Sequence, residues 1–74
     1  MSDFKENIIK ALKDQYKKYL RALEHHDGYE QGKALGAIGI HSRRLNNEYE
    51  MSLQQIHKLI FEAEEEYRKE KAGR

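Results

Sequence analysis

Apolar residues recur along the first third of the chain at alternating steps of three and four: Ile9, Leu12, Tyr16, Tyr19 and Leu23, with Ile8 and Leu20 widening the stripe. This spacing keeps one face of a helix apolar, and it predicts an amphipathic helix over residues 3–26. Asp3 followed three residues later by Glu6 supplies a start signal, because each side chain can accept a hydrogen bond from a backbone amide left free in the first turn. His25, His26, Asp27 and Gly28 supply the stop. Gly28 is the residue expected to turn left-handed there, and the imidazoles suit the negative end of the helix dipole.

Asp27 with Glu30 repeats the capping pattern, so a second helix over 28–46 follows at once and folds back as a tight hairpin. Its apolar stripe of Leu35, Ile38, Leu45 and Tyr49 is thinner, with Ser42 where another apolar residue is expected. A third pair, Ser52 with Gln55, precedes Leu53, Ile56, Leu59, Ile60, Ala63 and Tyr67, which predict a helix over 52–71. Between them, residues 46–51 (NNEYEM) contain neither glycine nor proline, and helical spacing runs on through Leu45, Tyr49 and Leu53. Two all-α architectures therefore fit a single domain over residues 1–74. One is a small three-helix bundle. The other is a hairpin whose bent second helix of ~40 residues extends ~60 Å and overhangs the first.

Composition narrows the class. Of the 74 residues 36% are charged and 38% hydrophobic, without Pro, Cys or Trp, as in a soluble helical chain that relies on its core alone. No apolar run approaches the ~18 residues of a membrane span, and the N-terminal sequence lacks the apolar stretch of a signal peptide, so a cytoplasmic location is expected. The net charge is +1, but its distribution is uneven. Residues 1–23 carry six Lys or Arg (Lys5, Lys10, Lys13, Lys17, Lys18, Arg21) against three acids, while Glu62, Glu64, Glu65 and Glu66 form an acidic run near the end. In a three-helix bundle the first and third helices run parallel, which sets Lys10 to Arg21 beside Glu62 to Glu70 and accounts for the basic stripe without a ligand.

The glycines stand out next, because each costs about 1 kcal/mol relative to alanine inside a helix. Gly28, Gly32 and Gly36 recur every four residues, Ile40 continues the row, and Ala37 and Gly39 lie close beside it. Small residues so spaced let another helix backbone approach closely. The neighbour is expected to be either the chain's own first helix or the surface of a second molecule.

Little in the chain points to catalysis. There is no cysteine and no glycine-flanked serine elbow, and Ser2, Ser42 and Ser52 are explained by capping or exposure. His25 and His26 are adjacent, so they point about 100° apart on a helix and cannot chelate one ion as an i, i+4 pair does. The segment GYEQGKALG lacks the GxxxxGK[ST] pattern and a preceding strand, so it offers no phosphate cradle.

One stretch resembles a known class. The run ALGAIGIHSRRL is similar to the core of helix-turn-helix DNA-binding proteins, with Gly39 at the turn and Ile38, Ile40 and Leu45 at packing positions. That resemblance places Ser42, Arg43 and Arg44 on a recognition helix. It covers a dozen residues and departs from the pattern at Leu35, where a small residue is usual, and at Glu48, where an apolar one is usual. Acidic Glu48 and Glu50 just downstream also oppose phosphate.

The reading that gathers most of these features is a non-enzymatic helical interaction or regulatory module. Its expected partner is a second copy or another protein, with no cofactor, metal, membrane or small-molecule ligand, and with Gly28, Gly32, Gly36 and Ile40 as the interface face. A DNA-binding regulator using residues 34–48 is the alternative.

Overall fold

A computed structural model describes residues 4–73. It resolves the choice left open at residues 46–51 in favour of three helices: α1 (Phe4–Glu24), α2 (Gly28–Glu48) and α3 (Leu53–Ala72). Among the described residues there is no strand. Position 3, and with it the Asp3 cap, lies outside the described residues.

The caps of the other two helices form where the sequence places them. Asp27 Oδ1 accepts a hydrogen bond from the Glu30 amide at 3.1 Å and opens α2. Ser52 and Gln55 make a complete capping box: the Gln55 amide donates to Ser52 Oγ at 3.1 Å, and the Ser52 amide donates to Gln55 Oε1 at 2.9 Å. Such caps satisfy amides that the first turn leaves without partners.

The helix ends differ from expectation in which residue makes the turn. His26, not Gly28, takes the left-handed conformation, with φ 55°, and no described glycine has positive φ. The His26 amide reaches the Leu23 carbonyl (3.2 Å) and the Asp27 amide reaches that of Ala22 (2.9 Å), the paired bonds of a Schellman closure. Gly28 becomes the first residue of α2 because Asp27 is already its N-cap. After α2 the left-handed residue is Glu50, with φ 54°, so a real turn interrupts the apolar spacing without glycine or proline. The Met51 amide closes on the Leu45 carbonyl at 3.0 Å, and Asn46 Nδ2 donates to the Met51 carbonyl at 2.8 Å.

This second turn folds Met51 inward, where it joins Ile8, Leu12, Leu45 and Ile56 in the main core cluster. Ile9, Ile38, Tyr49, Leu59 and Ile60 pack round it, half-buried. Towards the α1–α2 hairpin the buried residues become small, Ala22 and Ala34, while Ala63 and Tyr67 are the buried residues further along α3. α1 is the common element: it packs closely on α2, less on α3, and α2 and α3 meet each other only slightly.

Ion pairs fix α3 alongside α1. Lys13 Nζ lies 2.8 Å from Glu66 and 3.7 Å from Glu62, and Lys17 Nζ lies 3.0 Å from both Glu66 and Glu70. Lys13 with Glu66 and Lys17 with Glu70 share one sequence separation of 53, as parallel helices require. The expected internal pairing of the basic stripe is therefore present at Lys13 and Lys17, while Lys10 and Arg21 stand outside the ladder. Lys71 pairs with Glu24 further along.

Hydrogen bonds from Lys13 and Lys17 hold the Glu66 carboxyl below its ordinary range, and bonds to Glu70 and Glu66 raise Lys17 above the usual lysine range. A lowered carboxylate stabilises the fold above its unfolded pKa, and that share is lost as pH falls through the folded value. A raised lysine contributes below its unfolded pKa and loses its share as pH rises through the folded value. The ladder thus acts across the whole neutral range.

Two predictions follow from these contacts. Left-handed backbone costs a side-chain-bearing residue roughly 1–2 kcal/mol, partly offset by the greater unfolded freedom of glycine, so His26→Gly and Glu50→Gly are each expected to raise unfolding free energy by about 0.5–1 kcal/mol. Urea titration measures this, and a loss of stability in both variants would contradict the turn assignment. Glu66 is nearly half exposed, so Glu66→Gln is expected to cost less than about 1 kcal/mol at neutral pH. The gap from the parent protein should close in acid, as read from urea midpoints over a pH series.

Candidate interaction surface

The buried side of α2 is set by Ala34, Ile38 and Leu45, spaced four and seven residues apart. At 100° per residue, Gly32 and Gly36 stand two residues either side of Ala34 and so point away from that side. An ideal Cβ built on Gly28, Gly32, Gly36 or Gly39 meets nothing within 4 Å. The expectation that α1 would use the glycine row for close approach is therefore corrected. Ala22 and Ala34 are the small buried residues at that end, and Gln31 Nε2 donates to the Ala22 carbonyl at 3.4 Å on the same side. Within the chain the glycine row is an open helix face.

Leu35, expected in the core stripe, is 50% exposed because the buried position one residue earlier is taken by Ala34. Ile40, at the end of the glycine row, is 59% exposed. Tyr29, at the start of α2, is more exposed still, and further apolar side chains lie in solvent on the other helices: Leu23 is 40% exposed, Phe61 58%, and Phe4 and Leu53 more so. Phe61 is invisible to a stripe search because it follows Ile60 directly and faces off the core side. Its only signal is that a large aromatic sits at a position the periodicity assigns to water.

Helix-turn-helix geometry is absent from residues 34–48. α2 runs unbroken through Gly39, so Ser42, Arg43 and Arg44 share one helix with Leu35. The physical reason is that Gly39 keeps helical backbone instead of a positive φ, so Ser42, the residue that could cap a new helix there, lies inside α2, in contrast with Asp27 and Ser52. Ser42 is half-buried, Arg43 and Arg44 are exposed, and Arg44 is engaged with Glu48 at 3.5 Å.

The histidines and tyrosines define the rest of the surface. His25 and His26 are exposed at the hairpin, and His41 Nδ1 is a buried nitrogen without a hydrogen-bond partner. Among the described residues no group of three or more His, Cys, Asp or Glu side chains could hold a metal ion. Tyr16 and Tyr19 have ring centroids 5.9 Å apart, tilted by 35°. Burial, then the Glu64 carboxylate, raise the Tyr16 hydroxyl above its ordinary value. Burial, then the Glu24 carboxylate, do the same at Tyr67, over whose ring the Lys71 ammonium lies 5.8 Å from the centroid. No helix of the described residues is long and apolar enough to cross a membrane.

The open glycine face has a direct energetic consequence. Gly36→Ala and Gly39→Ala are each expected to raise stability by about 0.8–1 kcal/mol, since each adds helix propensity and a methyl group that meets no atom. Thermal unfolding at concentrations low enough to keep the chain monomeric measures the gain, and a fall in midpoint there would mean that a neighbour within the chain occupies the space beside the glycines.

No protein-family model matches this chain, and neither a curated protein nor a solved structure shows significant similarity to it.

Proposed function

We propose that this chain is a non-enzymatic, cytoplasmic interaction module that works by associating with a second copy of itself. The observation that carries this reading is the open face of α2. Three glycines in the interior of one solvent-facing helix together sacrifice roughly 3 kcal/mol of helix propensity. Nothing within the chain fills the space they leave. A neighbouring helix that needs close approach supplies a reason for retaining them, because small residues lower the distance at which two backbones can pack.

Exposed apolar residues support the same reading. Leu35 and Ile40 flank the glycines, so the face is bordered by side chains that gain from being covered. Each such residue contributes about 1.5–3 kcal/mol when fully buried. The charged groups best placed for an external ligand are in part already engaged, Lys13 and Lys17 with α3 and Arg44 with Glu48. The DNA-binding alternative therefore rests on Arg43 without the turn that would present it.

Sedimentation equilibrium of the full chain is expected to show a dimer in the micromolar range, with titration of duplex DNA giving no binding that depends on Arg43 or Arg44. A single monomeric species at high micromolar concentration would overturn the proposal. Salt-sensitive duplex binding abolished by Arg43→Ala would transfer the function to nucleic acid.

A further inference from the structure

α1 stands between its two neighbours, and its contacts show which edge faces which helix. Lys13 marks the α3 edge through its pair with Glu66, and Ala22 marks the α2 edge through its bond from Gln31. At 100° per residue these two edges are about 180° apart, and Leu12, Tyr16, Tyr19 and Leu23 fall within about 60° of one another midway between them. Leu12 is covered by the core cluster near the α2–α3 turn. Beyond it α2 and α3 do not close over α1, so Tyr16 and Tyr19 are half-buried and Leu23 is exposed. These residues form the floor of an open groove.

Its walls can be assigned in the same way. On α3, Glu62, Glu66 and Glu70 turn towards the lysine ladder, which leaves Ile60 and Glu64 on the opposite, groove-side edge. A surface depression lined by Leu20, Leu23, Glu64, Tyr67 and Arg68 lies at this α1–α3 edge. On α2, Asn46 reaches the turn into α3, and Leu35 lies on the Asn46 side of the helix, within about 20° of it. The glycine row begins at that same edge.

The chain also exposes more surface than its mass requires. Its accessible area is 5419 Å², about 600 Å² above the roughly 4,800 Å² of a compact monomer of this size. The radius of gyration is 12.7 Å, against about 11 Å for a compact domain of equal length. The excess approaches the ~800 Å² that each partner contributes to a standard protein interface.

We propose that this groove is closed in a two-fold dimer by α2 of a second copy, with the glycine row turned into the groove. Tyr16, Tyr19 and Leu23 of one protomer then lie under the partner's α2, and Leu35 is buried at the seam. A two-fold axis makes the arrangement reciprocal, so each chain supplies both a groove and the helix that fills one. Tilted tyrosines suit such a floor, because they offer large rigid contact area. The inference rests on the self-association proposed above and adds the surface through which it occurs.

The test is sedimentation equilibrium of the full chain with Leu23→Glu, Leu35→Glu, Gly36→Leu and, as a control outside the groove, Phe61→Glu. Circular dichroism verifies helix content in each. Leu23, Leu35 and Phe61 are all substantially exposed in the single chain, and Gly36 faces open space, so the substitutions leave the fold intact. The first three are expected to weaken dimerisation by about tenfold or more, as burial of a charge or a clash at an interface centre does, and Phe61→Glu to leave it unchanged. A dimer that tolerates all three groove variants, or yields only to Phe61→Glu, overturns the groove while self-association stands. A chain that is monomeric before any substitution overturns both.

Discussion

Among the described residues Leu12, Leu45 and Ile56, one from each helix, are the largest side chains removed from water, and the fold depends on their meeting. Burial of each contributes about 1.5–3 kcal/mol, which is large beside the roughly 4–11 kcal/mol of net stability left after chain entropy in a domain of this length. The α2–α3 turn serves that contact directly. By placing Glu50 in a left-handed conformation it swings Met51 under the same cluster and starts α3 at the depth where Ile56 reaches Leu12. The cost of backbone strain at Glu50 is small beside the apolar area it brings together.

One end of the molecule is therefore well filled, and the other is not. α1 has to serve as the wall for two helices that barely touch, and a chain with so few large core residues cannot cover its middle face along the whole length. Near the hairpin the buried residues are alanines, which bring α1 and α2 close but add little apolar area. The aromatic residues of α1 lie between those two conditions, half-buried against their own chain.

Local signals in the sequence carried the element boundaries, and non-local packing decided what they missed. Asp27 and Ser52 are legible as caps because each acts on an amide three residues away, independent of tertiary context. The turn at Glu50 is not legible, because a glutamate in left-handed backbone leaves no mark of the kind glycine does, and the apolar spacing continues across it. In α2 the stripe was legible at Ile38, Leu45 and Tyr49 but placed Leu35 inside, since only the proximity of α1 makes alanine rather than leucine the fitting residue at that height. The glycine row showed where a helix could approach and was silent on which one. The resemblance draws Ser42, Arg43 and Arg44 towards a recognition helix through Gly39, but that glycine keeps helical backbone and simply continues α2.

The lysine ladder between α1 and α3 has a property that follows from its spacing alone. Glu62, Glu66 and Glu70 repeat every four residues and so do Lys13 and Lys17, which gives two cations three acidic rungs. Sliding α3 by one helical turn, about 5.4 Å, still leaves each lysine opposite a carboxylate. The next position up the same edge is Lys58, so a second turn of travel would set like charges together. Electrostatics thus works here as a ratchet with two permitted notches. Which notch α3 occupies is therefore decided by Ile56 and the turn before it, so the ladder holds the two helices together while the core sets their register.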